Sequence, residues 1–409
     1  MTTTLPGASQ LFASAHLDDP YPLYDRLRRD APVYRVPGTD FHLVSSWELV
    51  AEAAGRTGDF SSHLTAVLLQ HPGAAPTGFE MDGGGRVTHV LATADDPVHR
   101  GHRKLVSSVL AGRLRALGPT VGDLVDRLWS AHARDGRIDW AADMADRLPL
   151  ALIATLIGLP GEDVPRLLGW AYDSTEMLGG VVAADRLPQL VNSAAALTGY
   201  LYERFQRAVR IAAPDGPPRD LLDALARACR RGQLSDEVAV LMLAQLVGAG
   251  GESTAGLIAA AGRILATHRD IQDLLRERPQ LIPAFLDEVL RIESPFRGHY
   301  RHVVADTRLG AVELPAGSHL LLLWGAANRD PSIFSEPDTV DLHRPNGKSH
   351  LAFGRGVHFC VGSALARLEA RTAITALLER STDIGLDAEP RWVPSVFVRR
   401  HRTLPLRLR

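Results

Sequence analysis

Two cysteines, Cys229 and Cys360, in a chain of 409 residues exclude a disulfide scaffold and point to a reducing compartment. The protein is therefore expected in the cytoplasm. Lysine occurs only at Lys104 and Lys348, so the basic residues are almost all arginine, a bias of GC-rich bacterial codons and not of chemistry. A formal net charge of -2 leaves no overall basic field, which argues against nucleic acid as a partner. The first twenty residues lack a basic stretch followed by an apolar one and contain no spanning run, so neither a signal peptide nor a membrane anchor is expected. Internal repeats and low-complexity tails are absent as well. What remains, 45% hydrophobic and 22% charged residues, is the composition of a globular chain whose partners are small molecules or proteins.

The hydrophobic pattern is mostly helical with a few strands. Leu23, Leu27 and Val33 space a short amphipathic helix within residues 20–34, and FHLVSS at 41–46 reads as a strand. Residues 62–95, rich in Gly, Pro, Thr and His, keep no lasting period and read as a long loop of the kind that is often functional. AAPDGPP at 212–218 separates two helical blocks. Beyond Pro295, HYRHVVAD and SHLLLLW read as strands. No clean boundary divides the chain, so residues 1–409 are expected to form one domain.

The most unusual helix begins after Ser235, an N-cap followed by Asp236 and Glu237 in the first turn, where carboxylates meet the positive end of the helix dipole. The stretch VAVLMLAQLVGAGG at 238–251 carries no charge, so the helix should be buried on all sides, and it is too short and glycine-rich to span a membrane. Gly248, Gly250 and Gly251 each cost about 1 kcal/mol against alanine in a helix interior. Two readings compete. One is close packing against neighbouring helices, with Glu252 reaching solvent; the other is a distorted turn beside a cavity, holding Glu252, Ser253 and Thr254.

The stretch HLAFGRGVHFCVGSALARL at 350–368 places Cys360 just before a helical pattern. A thiolate is a soft, strongly donating metal ligand that needs positive electrostatics to stay ionised when buried, and a helix N-terminus supplies them. The glycines permit a tight turn and let a flat ligand approach the backbone. Zinc would need further Cys or His ligands nearby, and Cys229 lies 131 residues earlier. A single axial thiolate suits haem.

Phe353-Gly354-x-Gly356-x-His358-x-Cys360-x-Gly362 resembles, at every fixed position, the haem-binding loop of the cytochrome P-450 superfamily. Three further stretches match in order. Glu288-x-x-Arg291, with Arg344 in DLHRPN, resembles the family's structural Glu-Arg-Arg triad; AGGEST at 249–254 resembles the oxygen-binding groove of the long central helix; and ADDPVHRGHRKLV resembles the stretch that reaches the haem propionates. The resemblance runs over residues 20–406. It implies a mainly α fold with small β-sheets, in which haem b lies between the long central helix and the helix after the cysteine.

Carried over residue by residue, the resemblance makes Cys360 the axial ligand and gives His99, Arg103, Arg301 and His358 to the propionates. Phe353, Gly354 and Gly362 shape the cysteine loop, and Ala249 and Gly250 the groove. Glu252 and the hydroxyl after it match the acid and alcohol that pass protons to dioxygen. The chain departs from the pattern here, with Ser253 where most members have threonine and Thr254 one place later, so either hydroxyl can serve. Gln245, Ala249 and Glu252 fall at i, i+4 and i+7 and share one helix face. Gln245 either hydrogen-bonds a substrate amide or carbonyl or is satisfied by backbone. Phe296, Arg297 and His299 match a substrate-facing strand, and Phe397 with Val398 the C-terminal hairpin; together they imply a mixed aromatic and polar pocket.

The resemblance implies oxidation of a small natural-product-like substrate, aromatic or cyclic-peptide-like, by a monomeric enzyme using dioxygen and two electrons. A ferredoxin would deliver the electrons after reduction by an NAD(P)H-dependent ferredoxin reductase. Hydroxylation and radical C–C or C–N coupling share that machinery. A peroxide-driven enzyme and a haem-thiolate protein that binds ligands without turnover are the alternatives. Arg100, Arg103, Lys104, Arg355, Arg367 and Arg371 are candidates for a ferredoxin-facing surface, and Cys229 is expected to be an incidental thiol.

Overall fold

A computed structural model describes residues 7–212 and 216–409. The break read at 212–218 separates the helices Leu187–Ile211 and Leu221–Arg230, but its residues 213–215 lie outside the described residues. Helices dominate, with small sheets at the flanks, as the resemblance implies.

The central helix, Asp236–Thr267, has 32 residues and so spans about 48 Å. Ser235 caps it, its hydroxyl accepting from the Val238 amide at 3.2 Å. The helix runs unbroken through the glycines; Gly248 faces open space and Gly251 makes only ordinary contact, but Gly250 and, further along, Gly262 permit close approach. A Cβ on Gly250 would stand 2.6 Å from the Ile153 side chain of the helix Arg147–Ile157, and one on Gly262 would stand 2.4 Å from the Trp140 ring. The packing reading is right at these positions, and the distorted turn is not seen. Glu252 is buried at 3% exposure, against the solvent-reaching side chain that reading assumed. Among the described residues this helix alone is long and apolar enough to cross a membrane, and more than half of its most apolar window is buried in the protein core.

A five-stranded sheet orders its strands Val33–Arg35, Phe41–Val44, His319–Leu322, His299–Val303 and Phe60–Ser61. Three of these are the strands read from the sequence. His299–Val303 pairs antiparallel with His319–Leu322, and the period of two places His299 and Arg301 on one face of the sheet. The long loop at 62–95 is in part a hairpin, Ala66–Leu69 against Thr77–Glu80. Its first strand buries Val67, Leu68 and Leu69, while its partner is largely exposed, so neither half alternates in the way that marks a strand in sequence.

The helix Ile282–Ile292 carries a buried ionic triad. Glu288 accepts from Arg291 Nε and Nη2 at 2.8 and 2.9 Å and from Arg344 Nε at 3.1 Å. The spare guanidinium groups donate to the carbonyls of Asn328, Pro337, Thr339 and Ser335, which fastens the segment before the cysteine loop onto this helix. Asn328 extends the link: its Nδ2 donates to Ser294 Oγ at 2.8 Å and its Oδ1 accepts from the Leu351 amide at 2.6 Å, where the loop begins.

Candidate active site

A cavity lies between the central helix and the cysteine loop. Its walls include Leu246, Ala249, Gly250, Ser253, Thr254 and Leu257 from the helix, and Phe353, Gly354, His358, Cys360 and Gly362 from the loop. Cys360 is pinned by its own amide, which donates to Phe353 O at 2.8 Å. Burial pushes its thiol up, opposed by the backbone N–H groups of Gly362 and Ser363 and by the charges of Arg103 and Arg367. The helix Ser363–Glu379 that follows therefore aims its free N–H groups at the sulfur. Gly354 and Gly356, at φ of 71° and 70°, make the tight turns before it.

One rim of the cavity is cationic. Arg301 is buried and donates once, to Tyr300 O at 2.7 Å, while its Nε has no acceptor. Burial pulls this guanidinium down to about 10, opposed by Asp95. Arg103 makes no hydrogen bond or ion pair among the described residues. The His358 ring sits 4.1 Å from that of His99, and its buried Nδ1 is unpartnered. Burial, then Arg301, holds His358 down to about 4. Two unneutralised guanidiniums and two imidazoles on one rim fit a ligand with two carboxylates, and a thiol with two N–H groups behind it fits a metal donor. The residues present thus fit haem: Cys360 is the donor that would hold the iron, and His99, Arg103, Arg301 and His358 are the groups that would face its propionates.

The central helix presents a stripe centred near Ser253, and Glu252, about 100° round the helix from it, falls beyond the stripe's edge. This corrects the expected cavity-facing acid. Glu252 Oε1 instead accepts from Arg400 Nε at 2.7 Å, and Oε2 is buried without a partner. Arg400 lies 3.7 Å from Asp146 and 3.8 Å over the Tyr172 ring, and Tyr172 donates to Asp146 at 2.6 Å. Burial raises the Asp146 carboxyl to about 6 against the pull of Arg400 and Tyr172. The two hydroxyls also differ. Ser253 Oγ donates back to Ala249 O at 3.0 Å, whereas Thr254, on the cavity wall, has no hydrogen-bond partner among the described residues.

Of the expected substrate contacts, Gln245, Phe296 and His299 line the cavity. Gln245 Oε1 accepts from the Ala92 amide at 2.8 Å, so its oxygen is satisfied by backbone. His299 is packed edge-on against Phe296 and Phe397 and accepts at Nδ1 from Trp324 Nε1 at 2.7 Å. Burial, then Arg301, pushes it down to about 3, so it is neutral. Arg297 does not reach the cavity: its guanidinium donates to the carbonyls of Val398 and Leu17 and ties the N-terminal segment to the C-terminal one. Phe397 and Val398 stand behind the wall, Phe397 against Phe296 with ring centroids 5.0 Å apart and Val398 bridged to Phe296 through backbone. Sequence reasoning missed Leu91 and Ala92 from the 62–95 segment, Ile153, and Glu369, two turns along the cysteine helix. Nothing periodic marked the first two, and Glu369 is spaced like any helical surface carboxylate. Cys229 lies apart, its thiol raised to about 11 by burial and 3.5 Å from Ser235 O.

The family model described as Cytochrome P-450 matches residues 185–382. Cytochrome P-450 144 of Mycobacterium tuberculosis is 47% identical over 99% of this chain and 93% of its own length. Cytochrome P-450 monooxygenase PikC of Streptomyces venezuelae is 34% identical over 96% of this chain and 91% of its own. Among solved structures, CYP109E1 from Bacillus megaterium in complex with testosterone superposes with a TM-score of 0.84 at 25% identity, covering 96% of this chain and 99% of that one.

Proposed function

Because the chain belongs to the cytochrome P-450 family, and is a haem b monooxygenase with a small-molecule substrate, we propose that it tailors a natural-product-like molecule with electrons from a ferredoxin. The observation that carries this reading is the pairing, across one cavity, of a thiol backed by two backbone N–H groups with a helix face of glycine, alanine and free hydroxyl. Haem, when bound, supplies the dioxygen chemistry, and electron donation from an axial thiolate favours O–O cleavage.

The chain's own residues supply position and protons. Arg103 and Arg301 orient the cofactor through its carboxylates, and the triad beneath holds the cysteine loop. Thr254 offers a hydroxyl whose proton is uncommitted, and Ser253, bonded to its own helix, assists less. Glu252 acts from behind the helix wall, where Arg400 holds it, and must turn to exchange a proton with the cavity. Leu246, Ile153, Leu91 and Phe296 exclude water and pack an apolar skeleton. Hydroxylation and radical ring coupling both remain within this arrangement.

A ferredoxin is supported by the face behind Cys360. Lys104, Arg355 and Arg371 are exposed on the loop and helices that flank Cys360, as are apolar Val357 and Phe359, while Arg100 is paired with Asp96 at 3.0 Å. Arg367 is excluded from that set, since it is paired with Asp287 at 2.9 Å and lies over Phe353. The test is spectral. The reduced carbon-monoxide complex of the wild type should show the strongly red-shifted Soret band of thiolate ligation, Cys360→His should lose it and Cys229→Ser should keep it. A wild-type band at the position of histidine-ligated haem would overturn the reading.

A further inference from the structure

The polar groups on the cavity wall have fixed directions, and nearly all of them donate. Ala92 offers an N–H to Gln245, so the end of the side chain that faces it must be the amide oxygen. The NH2 group is then left free, with no partner among the described residues, on a residue that lines the cavity. The same logic applies at His299. An indole N–H only donates, so Nδ1 accepts from Trp324 and the ring proton sits on Nε2, also without a protein partner. The aromatic rings packed round His299 keep it from turning.

The wall has no counterpart of opposite polarity. Its single carboxyl residue, Glu369, is 1% exposed with Oε2 unpartnered, and burial pushes it up, favouring the uncharged form. Ser253 has committed its proton to Ala249 O, and Thr254 can donate or accept. The charged groups are cations gathered at the rim near Cys360. With haem bound those cations would face its propionates, and the rest of the wall offers an ammonium group no anion. A carbonyl oxygen would find Gln245 waiting.

We propose that the substrate is a largely apolar, uncharged molecule carrying a carbonyl-type acceptor, which Gln245 receives through its Nε2–H2 group, and that the same wall rejects cationic amines. Gln245 precedes Ala249 by one helical turn, about 6 Å of rise, which sets the approximate spacing between that acceptor and the carbon presented to the groove. The proposal rests on the monooxygenase reading and narrows its substrate class. It also gives Gln245 two duties at once, since its oxygen holds the 62–95 segment in place at Ala92.

The test uses the haem-loaded enzyme and N-alkylimidazoles of stepped chain length, ending in a methyl ketone, the matching hydrocarbon or an ammonium group. The imidazole anchors each probe on iron, and the Soret shift reads its Kd. At one chain length the ketone should bind about tenfold tighter than the hydrocarbon, and the ammonium should bind weakest at every length. Gln245→Glu, titrated at a pH high enough to ionise its carboxyl, still accepts from the Ala92 amide but cannot donate, so it should abolish the ketone's advantage and relieve the penalty on ammonium. Gln245→Leu should abolish the advantage without favouring ammonium. Equal binding of ketone and hydrocarbon at all lengths in the wild type overturns the proposal, as does a ketone advantage that survives in Gln245→Glu. If that variant takes up no haem, the wild-type series decides alone. A wild-type carbon-monoxide band without the red shift of thiolate ligation would instead refute the haem-thiolate reading on which the proposal rests.

Discussion

Asp146 gives the fold a pH dependence that runs opposite to that of the buried, arginine-paired carboxylates Glu293, Glu288 and Asp287. Burial lifts this carboxyl from an ordinary 3.8 to about 6, although Arg400 and Tyr172 pull the other way. The folded protein therefore holds its proton more tightly than the unfolded chain does. The stabilisation from that proton is complete below about pH 4 and is lost as pH rises through 6. A shift of about two units corresponds to about 3 kcal/mol, an order-of-magnitude figure. Asparagine in its place can still accept from Tyr172 but never ionises. Asp146→Asn should therefore match the wild type near pH 4 and exceed it by about 3 kcal/mol at pH 8. With an unfolding entropy of about 2.1 cal/mol/K per residue, that is roughly 3–4 °C in Tm for a chain of this size. Absolute stability will fall in acid for a separate reason, because Glu293, Glu288 and Asp287 are held below the ordinary range by arginine and histidine partners against their burial. The difference between variant and wild type cancels those groups. Thermal melts of both proteins from pH 4 to pH 8 supply the curve. A difference that stays flat across that range, or a wild type that is the more stable at pH 8, refutes the argument.

Three other outcomes can be measured directly. Thr254→Ala should uncouple NADH consumption from product more than Ser253→Ala does, with peroxide released instead, because only Thr254 has an uncommitted hydroxyl; equal coupling in both variants would contradict this. Arg371→Glu and Lys104→Glu should raise the KM for an acidic ferredoxin several-fold and flatten its salt dependence, leaving carbon-monoxide spectra intact. Glu288→Gln leaves Arg291 and Arg344 buried without a counter-charge and should cost about 3–5 kcal/mol, seen as a lower yield of haem-loaded protein and a lower Tm.

Local chemistry was legible in the sequence. The Ser235 cap, the uncharged central helix, the glycines about Cys360 and the strands after Pro295 each follow from residues within a few places of one another, and each stands where the pattern put it. Side-chain direction was not legible. Helical angles placed Glu252 with Gln245, but Arg400, 148 positions later in the chain, claims it. Arg297 sits in the expected strand region yet serves the carbonyls of Leu17 and Val398, a choice made by segments at both ends of the chain. Gln245 allowed two readings, and each holds for one end of the same amide.

The link from Ser294 through Asn328 to the Leu351 amide, together with the triad beneath it, bears on how the cofactor arrives. Fixing one residue of backbone costs about 1–2 kcal/mol, and a loop that ordered itself only round its ligand would subtract that cost from binding residue by residue. At the start of the loop, at Leu351, that share of the ordering cost is carried by the chain's own hydrogen bonds and is not drawn from cofactor binding.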